Sequence, residues 1–112
     1  MNMNQLDDHV TVSPQITPAD VADVKAAGFT AIMCNRPDGE DAGQPAFAEI
    51  EAAAKEAGLA TYFAPIQTRE EAAAAADVFN QALDAHDKLF AYCRSGTRCQ
   101  LIYEAAKAMK AA

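Results

Sequence analysis

Short apolar runs alternate along the chain with longer stretches in which apolar residues recur every three or four positions. "HVTVS" (His9 to Ser13) alternates like a strand, and "FTAIMC" (Phe29 to Cys34), "LATYFAPI" (Leu59 to Ile66) and "KLFAYC" (Lys88 to Cys93) read as buried strands. The segments between them read as helices. Thr17 is placed to cap the first, with Pro18 at its first position, Asp20 completing a capping box and Gly28 ending it. Pro45 opens the second, which sets Phe47, Ile50, Ala54 and Ala57 on one stripe and stops at Gly58. A Thr68/Glu71 box opens the third, with Val78, Ala82 and Leu83 predicted to face inward. The fourth runs on from Arg98, with Leu101, Ile102, Ala105 and Met109 predicted inside.

Four strand–helix repeats predict a single α/β domain over residues 1–112. Its sheet should have four to five mostly parallel strands, joined by right-handed crossovers and flanked by helices. Apolar residues make up 51% of the chain, but 27 of them are alanines, so the core must rest on a modest set of Val, Ile, Leu, Phe and Met. The net charge of −7, with no block of Lys or Arg, argues against nucleic acid and anionic membrane as partners. No apolar run approaches the roughly 18 residues of a membrane helix, and "MNMNQLDDHV" lacks a signal-peptide core. A cytoplasmic location is therefore expected, where thiols stay reduced. The chain has three cysteines, an odd number for a disulfide framework and irregularly spaced for zinc. No metal or other cofactor is expected.

In parallel sheets, ligands collect beyond the carboxyl ends of the strands. Two loops there carry suggestive chemistry, one after Cys34 and one after Cys93. In "CRSGTR" (Cys93 to Arg98) the last strand delivers Cys93, Gly96 permits a sharp turn, and a helix points its unpaired N–H groups back at the loop. The amides of Arg94, Ser95, Gly96 and Thr97, with the Arg98 guanidinium, make a cradle for a small tetrahedral anion. The same positive field stabilises a thiolate at Cys93, lowering its pKa from ~8.5 into the range ~3.5–7.5. Such a thiolate is a nucleophile for phosphorus or sulfur.

This loop resembles the Cys-x4-Arg loop of rhodaneses and is one residue shorter than the Cys-x5-Arg loop of protein tyrosine phosphatases. From Val10 to Ala108, and most specifically in "NRPDGE" and "CRSGTR", the chain is similar to the phosphatase-like domain of beta-lactamase-hydrolase-like proteins. That bacterial family is described both as phosphatase-like and as a sulfur transferase. The resemblance implies a dual-specificity-phosphatase-like fold, with Cys93 as nucleophile and Arg98 as anion clamp. Two positions depart from the pattern: Pro14 stands where glycine is expected, and Cys99 replaces the serine or threonine that usually follows the arginine.

Around the loop, Arg36 is a candidate second cation for the substrate, or else the partner of Asp38 or Glu40 in an ion pair that stiffens its own loop. Cys34 reads as a packed core thiol. Cys99 reads either as a small residue facing the loop or as a thiol that resolves an outer sulfur on Cys93, leaving an internal disulfide. Phosphate-ester hydrolysis needs a general acid for its leaving group. In tyrosine phosphatases it lies after the strand preceding the catalytic one, where this chain reads "FAPIQTREE", without aspartate. Glu70 and Glu71 there read as helix-capping charges, although Glu70 or Asp38 could substitute as acid. Thiosulfate-type chemistry expels sulfite and needs no acid. The sequence therefore favours a cysteine-dependent sulfur transferase acting on a small anion such as thiosulfate or a persulfide. A cysteine-dependent phosphatase, a hydrolase of phosphate esters, is the alternative, and a catalytically silent anion-binding module the third reading.

Overall fold

The computed structural model describes residues 3–111, so the part of the N-terminal reading that rests on Met1 and Asn2, and Ala112 at the other end, lie outside it. Five strands form one sheet: β1 (Asn4–Gln5), β2 (Val10–Ser13), β3 (Ala31–Cys34), β4 (Ala60–Phe63) and β5 (Leu89–Tyr92). Their order across the sheet is β1-β2-β5-β3-β4, with β1 antiparallel and the rest parallel. Four helices cover it: α1 (Val21–Ala26), α2 (Phe47–Glu56), α3 (Ala72–Ala85) and α4 (Thr97–Ala111). One-turn 3-10 helices, Pro18–Asp20 and Arg69–Glu71, lead into α1 and α3.

The helix starts follow from local chemistry. Asp20 Oδ2 accepts from the Thr17 N–H at 2.9 Å, and Glu71 Oε1 accepts from the N–H groups of Gln67 and Thr68, both at 2.9 Å. Each carboxylate satisfies donors that the first turn leaves unpaired. The stops follow too, since Gly28 and Gly58 take positive φ values of 95° and 80°, which favour glycine.

The sheet divides the core into two layers. On one face Ala75, Ala76, Phe79 and Ala82 of α3 and Cys99, Ile102 and Ala106 of α4 pack on Val10, Val12, Met33, Leu89 and Ala91. On the other, Val21 and Val24 of α1 and Ile50 and Ala54 of α2 pack on Ile32, Phe90 and Tyr92. Burying each large apolar side chain contributes about 1.5–3 kcal/mol, so side chains such as Phe79 and Phe90 anchor the layers more than the many alanines do.

Four expectations need correction. The strand over His9 to Ser13 is buried at every β2 position rather than alternately, because β1 covers its outer edge and helices cover both faces. The strand predicted to Ile66 ends at Phe63, as Pro65 can donate nothing to a ladder. In α3 Ala82 is buried as expected, but the large inward side chain is Phe79, while Val78 and Leu83 are half-buried. In α4, Ile102 is buried as expected, but Leu101 and Ala105 are only half-buried and Met109 is 44% exposed.

Candidate active site

The parallel register aligns Ser13, Tyr92, Cys34 and Phe63 at the carboxyl edge of the sheet. β5 lies between β2 and β3, so the loop that follows it is flanked by the loops after both neighbours. Backbone bonds join these loops. The Cys93 N–H donates to Ser13 O at 3.2 Å and the Gln15 N–H to Arg94 O at 3.4 Å. Pro14, where the resemblance led us to expect glycine, costs no bond here, because Ser13 and Gln15 make the pairing. On the other side the Asn35 N–H donates to Tyr92 O at 2.9 Å, and Asn35 Nδ2 donates to Ala64 O at 3.0 Å. Asn35 thereby ties the loop after β3 to the loop after β4.

Cys93 sits at the mouth of β5, 1% exposed. Gly96 takes φ +92°, a left-handed turn that brings its N–H to Cys93 Sγ at 3.0 Å. A Cβ there would meet the Ser13 backbone at 3.7 Å, an ordinary contact, so backbone conformation rather than space calls for glycine. The Cys99 side chain, in the first turn of α4, and the N–H groups of Cys99, Ser95 and Gly96 favour the ionised form of this sulfur. Together they overcome burial and hold the Cys93 thiol down at about 5. At neutral pH it is a thiolate at the amino end of α4. Burial pushes the Cys99 thiol far up, and the charge of Cys93 pushes it further, so Cys99 is the protonated member of the pair.

Cys34 is buried on the opposite layer, its Sγ donating to Arg36 O at 3.2 Å, and burial raises its pKa. It is a core thiol. Tyr92, beside it in register, faces the same layer. Ser95 Oγ and Thr97 Oγ1 are bonded to each other at 3.0 Å on the rim, and Ser95 Oγ accepts from the Thr97 N–H at 3.4 Å. Arg94 is 66% exposed, with Asp41 Oδ2 3.6 Å from its Nε.

The loop after β3 faces the cradle, and its carboxylates engage the arginines. Arg98 Nη1 and Nη2 donate to Glu40 Oε2 and Oε1 at 3.0 and 2.7 Å. Arg36 is 3% exposed and donates from all three of its nitrogens, to Glu40 Oε1 at 2.9 Å, Asp41 Oδ2 at 2.6 Å and Gln15 Oε1 at 3.0 Å. The Arg98 hydrogen bond, with help from Arg36, holds the Glu40 carboxyl below its usual range. Of the partners named for Arg36 in the sequence, Glu40 is the one it meets; Asp38 instead accepts from the Phe47 N–H at 2.8 Å. The contribution of Glu40 to Arg98, and those of Asp41 and Gln15 to Arg36, were not legible in the sequence. The clustered charges of "NRPDGED" were the only signal. Among the described residues, no group of three or more His, Cys, Asp or Glu is arranged to hold a metal ion.

A parallel sheet that ends in a strand–cysteine–loop–arginine–helix unit defines a phosphatase-like α/β domain of the protein tyrosine phosphatase fold. The chain belongs to the family described as "Beta-lactamase hydrolase-like protein, phosphatase-like domain", whose profile matches residues 2–110. It is 32% identical over 110 residues to a beta-lactamase hydrolase-like protein of Agrobacterium fabrum, covering 97% of this chain and 26% of that one. The chain thus spans about a quarter of the length of that relative. It is also similar to a protein of Neisseria meningitidis provisionally named a phosphatase, with 35% identity and a TM-score of 0.84, over 98% of this chain and 79% of that one. Tk-PTP, at 12% identity and a TM-score of 0.61 over 98% of this chain and 97% of its own, shares the fold.

Proposed function

We propose that this domain transfers sulfane sulfur through the Cys93 thiolate, with Arg98 and the loop of Arg94, Ser95, Gly96 and Thr97 holding the oxyanion end of a small donor such as thiosulfate. One observation carries the reading. An ionised Cys93 faces a loop whose carboxylates are engaged as acceptors, Glu40 and Asp41 by arginines and Asp38 by a backbone N–H. Glu71, in the loop after β4, is likewise engaged by backbone N–H groups. A nucleophile whose neighbouring carboxylates are engaged in this way suits a leaving group that departs as a stable anion.

In this reaction the thiolate attacks the sulfane sulfur of the donor. The donor's S–S bond breaks, sulfite leaves with the electron pair, and Cys93 carries a persulfide. An acceptor thiolate then attacks the outer sulfur and regenerates the Cys93 thiolate. No proton moves in either step. Low exposure of Cys93 favours a donor of a few atoms over a bulky one. Residues 1–112 form one catalytic unit in this reading, in a reducing, cytoplasmic compartment that keeps the thiols reduced.

The second reading is hydrolysis of a phosphate ester through a cysteinyl-phosphate. Membership of a phosphatase-like family favours it, as does the likeness to the Neisseria protein. It needs a proton for the departing alkoxide, and Glu70 and Asp38 are the candidates that the sequence offers for that role. Intact-mass measurement after thiosulfate separates the two, run beside turnover of an aryl phosphate. One added sulfur atom, located on Cys93 and removed by cyanide or a dithiol, supports sulfur transfer. Aryl phosphate turnover without any sulfur adduct overturns it in favour of hydrolysis. Neither outcome leaves the silent module.

A further inference from the structure

Arg98 offers five N–H bonds in a fixed planar fork, and their destinations can be counted. Nη1 uses both of its own, one to Glu40 Oε2 and one to Ile66 O, each at 3.0 Å. Nη2 uses one, to Glu40 Oε1 at 2.7 Å. Glu40 therefore grips the guanidinium end-on, through its two terminal nitrogens. The lateral edge is what remains: the Nε–H and the second Nη2–H, two parallel donors with no protein acceptor among the described residues. Such an edge is the geometry that binds an oxyanion by two bonds at once.

Two roles are open to such an ion pair, and the bond count separates them. A carboxylate competing with substrate would occupy the lateral edge. Glu40 occupies the adjoining, end-on edge. It is also held from behind, because Arg36 Nε donates to its Oε1 at 2.9 Å while Gln15 and Asp41 fix Arg36 in a nearly solvent-free position. A relay of Arg36, Glu40 and Arg98 runs from the buried end of β3 to the cradle. Arg98 and Cys93 feel each other's charge, so the oriented guanidinium and the thiolate serve one site.

We propose that Glu40, itself held by Arg36, is a positioning residue that aims the lateral edge of Arg98 at the bound oxyanion. The inference rests only on the anion-binding part of the function proposed above, and it applies to a sulfur-containing anion and a phosphate ester alike.

Its test reads anion binding without turnover. Inorganic sulfate is titrated against the rate at which iodoacetamide alkylates Cys93, in the wild-type chain and in Glu40→Gln, Glu40→Asp and Glu40→Ala. Losing one hydrogen bond to a charged group weakens binding by roughly ten- to a hundredfold. Glu40→Gln and Glu40→Ala should therefore need at least about tenfold more sulfate for half-protection, with Glu40→Asp in between. The pH midpoint of unprotected alkylation should stay at or below that of wild type, because loss of the Glu40 charge leaves Arg98 uncompensated, whereas a general loosening of the loop would raise it. If any variant fails a thermal-melt check of folding, the comparison is made among those that pass, and Glu40→Asp disturbs packing least. Equal or tighter protection in Glu40→Gln overturns the inference and makes Glu40 a competitor of the substrate. Absence of protection in the wild-type chain itself removes the anion site, and the function proposed above falls with it.

Discussion

Cys93 and Cys99 lie six residues apart across the turn at Gly96, and each sets the other's protonation: the Cys99 side chain helps to hold Cys93 ionised, and the charge on Cys93 helps to hold Cys99 protonated. One member is ionised and the other is held protonated by burial, so the pair works as acceptor and donor. The substitution of cysteine for the usual hydroxyl residue after the arginine thus keeps a donor in place.

Alkylation of Cys93 by iodoacetamide should follow the thiolate fraction and reach half its maximal rate near pH 5, well below the ~8.5 of an ordinary cysteine. Cys99→Ala removes the largest stabilising contact and should shift the midpoint upward. Cys99→Ser retains a hydroxyl donor and should shift it less. Equal midpoints in all three proteins would transfer the effect to the loop amides alone.

Stability should carry the same signature. The Cys93 thiol ionises near 5 when folded and near 9.0 when unfolded, so between these values the unfolded chain binds more protons. Stability from this group is fully present above pH 9 and is lost as pH falls through 5. The slope reaches at most about 1.4 kcal/mol per pH unit. Cys34 and Cys99, both raised, act oppositely above pH 9. Urea titrations of Cys93→Ala should lack the rise between pH 5 and 9 that the wild-type chain shows.

Gly96→Ala should damage the site through the backbone. Holding an L-residue at φ +92° costs about 1–2 kcal/mol, while the new Cβ finds adequate space beside Ser13. Relief of that strain turns the Gly96 N–H away from Cys93, so the alkylation midpoint should rise together with the loss in stability. A stable variant with an unshifted midpoint would show that the turn is not needed to aim this donor.

Much of this architecture could be read locally. Thr17 with Asp20, Thr68 with Glu71, and the glycines at 28 and 58 mark helix ends by chemistry that acts within a few residues. The passage from β5 through the turn at Gly96 into α4 was equally legible, since strand, cysteine, glycine and helix follow one another directly in sequence. What escaped depends on distance or on missing contrast. Asn4–Gln5 is a polar, exposed pair made into a strand only by its bonds to β2. The alanine run from 72 to 76 gives no periodic signal to fix which side of α3 faces in, so Phe79 was missed. Glu40 finds Arg98 58 residues away, a pairing no local pattern encodes.

Arg98→Lys should reduce anion protection and turnover far more than a change between two cations ordinarily does. The guanidinium uses three N–H bonds for Glu40 and Ile66 and keeps two parallel ones for the anion. An ammonium has three donors in all, none of them paired in a plane. Loss of one well-placed oxyanion donor costs about 10²–10³ in rate, and a drop of that order is expected in kcat. Kinetics near wild type would restrict Arg98 to holding Glu40.

Cys99 should not act as a fast resolving thiol at neutral pH. Resolution of an oxidised Cys93 requires a thiolate at Cys99, whereas burial, the largest influence on it, keeps that group protonated. The residue is 0% exposed, so no solvent helps to stabilise its ionised form. Mild peroxide at pH 7 should therefore carry Cys93 to sulfinic acid while Cys99 is recovered as a thiol. Peptide mapping should find the same yield in Cys99→Ser once rates are corrected for any change in the thiolate fraction. A dithiol-reversible cross-link that forms faster than sulfinic acid at pH 7, and is absent in Cys99→Ser, would instead establish Cys99 as the thiol that resolves and protects the nucleophile.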